Sequence, residues 1–137
     1  MVARFLQELF ARGRLEVVDD YLTRDFVDHN PLQGFPGNRE GLRETAGAFR
    51  RAFPDWRHVP HELIAERDLV VARFAASGTH RGVLLNIPPT GRSISVQGIS
   101  IFRLERGRIK DRWGLLDQAA LLRQLGYERP SQLATRS

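Results

Sequence analysis

The sequence predicts an α+β domain: helices first, then antiparallel strands that bend into a one-sided cone around an apolar pocket. Three observations carry this. Apolar residues recur at helical spacing up to Phe53, strand-like alternation takes over from Trp56 to Leu116, and short Gly- or Pro-containing turns divide the strands. A curved sheet with helices on one face encloses a cavity, the usual place for a small ligand.

The elements follow in order. Residues 2–11 carry Phe5, Leu6, Leu9 and Phe10 on one face of a helix that Gly13 ends. Residues 15–21 read as a second short helix with Val17, Val18 and Tyr21 inward. Residues 23–30 are extended, and 31–37 form a Pro/Gly-rich loop. Asn38 is placed to cap a helix over 39–52 whose stripe is Leu42, Ala46, Phe49 and Phe53; Pro54 stops it.

Strands are then expected over 56–66, 68–80, 92–104 and 109–116. Pro60 demotes the first to an edge or bulged strand. Pro88-Pro89-Thr90-Gly91 is a turn, and Glu105-Arg106-Gly107-Arg108 a tight hairpin. A last helix over 118–125 ends at Gly126, and 128–137 reads as a mobile tail behind a single domain over 1–127.

Composition excludes several classes. The chain has 137 residues, enough for one domain, and no cysteine, so disulfides and thiolate catalysis are out. Its start lacks the features of a signal peptide, and no apolar run reaches the roughly 18 residues a membrane span needs. A cytoplasmic protein is expected. The net charge is +5, yet the 21 basic residues are scattered among acids rather than gathered on one face, so no nucleic-acid partner and no membrane partner is expected.

Two stretches carry a family resemblance. DFVDHNP at 25–31, Gly34 and the helix ending AFPDW form the first. The second is SGTHRGVLLNIPPTGRSISVQGISIFRLERGRIKDRW at 77–113, continued by GLLDQAALLRQLG at 114–126. With its GTHxG, PPTGR, GxI and WxxxD elements the chain resembles the SnoaL-like polyketide cyclases, within the ketosteroid-isomerase-like cone superfamily. The resemblance implies an intramolecular aldol closure, or a proton transfer, on a small apolar carbonyl compound, with no metal or organic cofactor. It also implies a homodimer. In the WxxxD element the family's acid/base aspartate matches Asp117, and its histidine partner on the preceding strand falls near Arg103.

The candidate residues each have a structural alternative. Asp117 is the expected catalytic base, with Trp113 and Leu115 as apolar walls, because a carboxylate away from water holds a proton more tightly; it would equally cap the last helix. His29 is the expected second catalytic group, with Asn30 binding a carbonyl, or the two tie down a loop. His80 either binds substrate or fixes a turn. Arg73 either binds substrate or forms an ion pair. His58 and His61 fall three apart on a strand, on opposite faces, and so make no metal site. The alternative to an enzyme is a non-catalytic small-molecule-binding cone that dimerises.

Overall fold

The structure, a computed structural model, describes residues 1–127; the tail expected over 128–137 lies outside them. Helix α1 (Val2–Leu6) runs into a π-helical turn over Gln7–Ala11, in which Arg12 N–H donates to the Gln7 carbonyl. Then come α2 (Val17–Tyr21), β1 (Leu22–Asp28), α3 (Arg39–Ala52), β2 (Arg57–Glu66), β3 (Leu69–Thr79), β4 (Ser93–Glu105), β5 (Arg108–Leu116) and α4 (Gln118–Gln124). Each expected element is present within a few residues of its expected bounds.

Local chemistry explains the boundaries. Asn38 Oδ1 accepts from Gly41 N–H and starts α3, whose apolar stripe Leu42, Ala46 and Phe49 is buried. Arg106 and Gly107 both have positive φ, the paired left-handed geometry of a two-residue hairpin turn. Pro60 lies on edge strand β2, and pairing with β3 slips between Pro60 and Glu62, which leaves His61 unpaired.

The five strands form one curved, unclosed sheet in the order β1-β5-β4-β3-β2. Four of them pair antiparallel. The segment 23–30, expected only to be extended, is a fifth strand that runs parallel to β5. Sequence patterning cannot foresee this contact, because its partner lies more than 80 residues away and parallel pairing needs a long crossover.

Alternate residues of β3 and β4 point inward, among them Ala72, Phe74, Ala76, Val96, Ser100 and Phe102. The apolar interior falls into two clusters. One gathers Phe49, Phe53, Trp56, Phe74 and α4; the other gathers Phe5, Leu9, Leu42, Phe102 and Ile109. Between them the sheet carries glycines and polar residues instead of large apolar ones, and there the interior stays open.

Candidate functional site

A cavity of about 300 Å³ occupies that gap, at the small end of the range for ligand pockets. Leu6 and Leu42 from one cluster and Phe49, Trp56 and Phe74 from the other line its buried depth. Its other lining residues include Pro31, Gln33, Leu115 and Gln118, all exposed, so the mouth lies between the 31–37 loop and the end of β5. Two glycines make room for the cavity's lining side chains Phe74 and Arg112. A Cβ on Gly98 would strike the Phe74 ring, and one on Gly114 would strike the Arg112 guanidinium.

Buried polar groups stand among these apolar ones. Asp28, 6% exposed, and Arg112 are register partners on β1 and β5, and Arg112 Nη1 reaches both carboxylate oxygens at 3.0 Å. Asp28 Oδ1 also accepts from Asn30 N–H. Arg112 Nη2 makes only a long contact, 3.4 Å, with Ser100 Oγ. His58 is clasped between Phe10, at 5.2 Å and 22°, and Phe74, at 4.5 Å and 25°, stacked on each. Burial, helped by the nearby Arg112 charge, pushes its pKa down to about 4, so the imidazole is neutral near neutral pH. Its Nδ1 and the indole N–H of Trp56 are sealed from solvent with no hydrogen-bond partner. Among the described residues, no three potential metal-ligating side chains converge.

The sequence-predicted residues take other places. Asp117 is exposed and caps α4, its Oδ1 accepting from Ala120 N–H at 3.1 Å. It borders a second hollow, on the outer sheet face, rather than the cavity, although its neighbours Leu116 and Gln118 line the cavity. Trp113 and Leu115 were expected as inner walls. Arg112 and Gly114 take the inward positions of β5, so strand alternation turns Trp113 and Leu115 outward; Leu115, 74% exposed, borders only the cavity's mouth.

The same alternation turns His29 out, because Asp28 points in. His29 stacks on Trp113 at 4.5 Å and bonds Asp111 at 2.9 Å. Arg103 lies over the Trp113 ring and faces Asp68 and Asp111. Arg73 pairs with Glu62 at 2.7 Å, the ion-pair alternative. His80 is fully buried away from both hollows, where Nδ1 accepts from Thr90 N–H and so fixes the turn. Of the expected set, Asn30 and Leu115 line the cavity, and Asn30 Oδ1 accepts from Gly114 N–H.

Sequence reasoning passed over Asp28, Ser100 and Arg112, and weighed His58 only as a metal ligand. Strand parity gave no signal for Asp28 or Arg112, because Arg24 shares the parity of Asp28 on β1 and Lys110 that of Arg112 on β5.

Comparisons agree with this architecture. The sequence profile described as SnoaL-like polyketide cyclase matches residues 1–125. Nogalonic acid methyl ester cyclase of Streptomyces nogalater is 30% identical over 119 residues, covering 85% of this chain and 89% of that protein. Aklanonic acid methyl ester cyclase DauD of Streptomyces sp. strain C5 is 26% identical over 133 residues, covering 95% and 83%. Among solved structures, TsrD from Streptomyces laurentii superposes with a TM-score of 0.82 at 31% identity over 91% of each chain. With the profile matched over almost the whole described chain and the cone geometry in place, this protein belongs to the SnoaL-like polyketide cyclase family.

Proposed function

We propose that the chain closes a ring in a planar, carbonyl-bearing polyketide ester by intramolecular aldol addition without a cofactor. The observation that carries this reading is a cavity walled by Leu6, Leu42, Phe49, Trp56 and Phe74 that also holds buried polar side chains, beside a carboxylate near its mouth. Asp117 would leave its cap bond and take a proton from the carbon next to a carbonyl. The enolate carbon then attacks a second carbonyl of the same molecule, and the carboxylic acid returns its proton to the new alkoxide. Substrate and product are isomers, so nothing else is consumed. Holding both reacting carbons in one cavity supplies the proximity this step needs. Asn30 would hold a substrate oxygen near the mouth.

On this reading the chain is a cytoplasmic homodimer paired through the outer sheet face, where Val59, Ile99 and Leu115 are exposed. No helix among the described residues is long and apolar enough to cross a membrane. Sedimentation equilibrium measures the dimer directly.

A second reading, a non-catalytic binding cone, is favoured by the exposure of Asp117 and its bond to Ala120. Nogalonic and aklanonic acid methyl esters, taken from the relatives' names, separate the two when incubated with the protein and followed by chromatography. The cyclase reading expects turnover, lost by at least about a hundredfold in Asp117→Asn. Binding of either ester without conversion by the unaltered protein favours the binding cone.

A further inference from the structure

The mechanism above leaves both charged groups of the cavity lining, Asp28 and Arg112, unused. Arg112 projects from β5 into the interior, and its side chain is 17% exposed. It lines the cavity and not the outer hollow, so that exposed part faces the cavity. One guanidinium nitrogen is committed to Asp28, while Nη2 has only the 3.4 Å contact with Ser100. The strand across from Ser100 is reduced to Gly114, and a side chain there would collide with Nη2. Asp28 thus anchors the guanidinium and balances its charge, leaving N–H donors directed at whatever fills the space.

We propose that Arg112 is the oxyanion site of the cavity: its free guanidinium N–H groups hold the enolate or phenolate oxygen of a planar ligand, with Asp28 as the positioning residue. Such a donor strengthens as negative charge develops on the oxygen, and it acts in a water-poor space where its effect is large. The neighbouring His58 is uncharged near neutral pH and leaves Arg112 the only cation among the cavity's lining residues. The ligand class follows from this lining. It is flat and apolar enough to lie against Phe49 and Phe74, with one acidic oxygen at its inner end.

The inference rests on the cavity being the ligand site, as in the proposed function, but not on Asp117. The test is 2-naphthol, a planar phenol that cannot undergo the aldol step, bound to the full chain and followed by fluorescence through its ionisation. The expected result is a bound naphthol at least about tenfold more acidic in the unaltered protein than in Asp28→Asn/Arg112→Met. That double variant removes both charges at once and leaves no lone buried carboxylate. Arg112→Lys should restore part of the shift, since it keeps the charge without the planar fork. Equal acidity in the unaltered and double-variant proteins would overturn the assignment. Asp117→Asn should leave the naphthol shift intact even where turnover is lost, which separates this inference from the cyclase reading.

Discussion

Arg112 Nη1 stands 3.0 Å from both oxygens of the Asp28 carboxylate, across the parallel pairing of β1 and β5. The contact links residues 84 apart in sequence and closes the sheet edge beside the cavity. Both groups are largely out of water, so each makes up for hydration the other has lost.

Removing one partner should therefore cost more than removing both. Arg112→Met is expected to destabilise the fold by about 3–5 kcal/mol, because it strands the Asp28 carboxylate in an apolar interior. Asp28→Asn/Arg112→Met should recover most of that loss. Urea denaturation of the two variants measures the difference, and equal losses would mean the pair is not coupled.

His58 should make stability fall with acid. In the unfolded chain it takes up a proton near its ordinary pKa of 6.5, whereas the folded protein resists protonation down to about 4. Its contribution is complete above pH 6.5 and is lost as the pH drops from 6.5 to 4, by on the order of 3 kcal/mol. Burial lowers the pKa of His80 too, which adds in the same direction. The comparison with His58→Phe isolates the first term. The variant should be more stable near neutrality by about 1 kcal/mol, since it removes the unpaired Nδ1, and its lead should widen on acidification. A constant lead across that range would contradict this.

At Asp117 two substitutions separate the cap from any chemistry. Asparagine caps a helix about as well as aspartate, so Asp117→Asn should keep the melting temperature. Asp117→Ala loses the acceptor for Ala120 N–H and should cost about 1 kcal/mol. Thermal unfolding of both, beside the turnover assay, shows whether the side chain does more than cap.

Gly98→Ala should partly close the cavity. The new methyl group must push the Phe74 ring, which forms one side of the His58 clasp and part of the cavity lining. A loss of about 1–3 kcal/mol and weaker 2-naphthol binding are expected, read by urea denaturation and the fluorescence titration. Unchanged binding would show that Phe74 has room to give.

Much of the fold could be read from local pattern. Asn38 ahead of an apolar stripe marked α3, Pro60 marked an edge strand, and Arg106-Gly107 marked a hairpin, each because the signal lies within a few residues of its effect. The candidate site was less accessible. His29 and Trp113 were expected at the pocket, yet they stack on each other on the outer face. His80, expected near substrate, secures a turn.

By itself the sequence determined the order of helices and strands, the turns between them, the apolar stripe of α3 and the family to which the chain belongs. Tertiary structure alone decided which side of each strand faces the cavity. Alternation shows that Trp113 and Leu115 share one face and Arg112 and Gly114 the other, but it does not say which is inside. That choice depends on a carboxylate brought in from β1 to balance Arg112, and on a glycine that leaves space for its guanidinium. The glycine is two residues away on the same strand, but the carboxylate arrives only when distant strands meet.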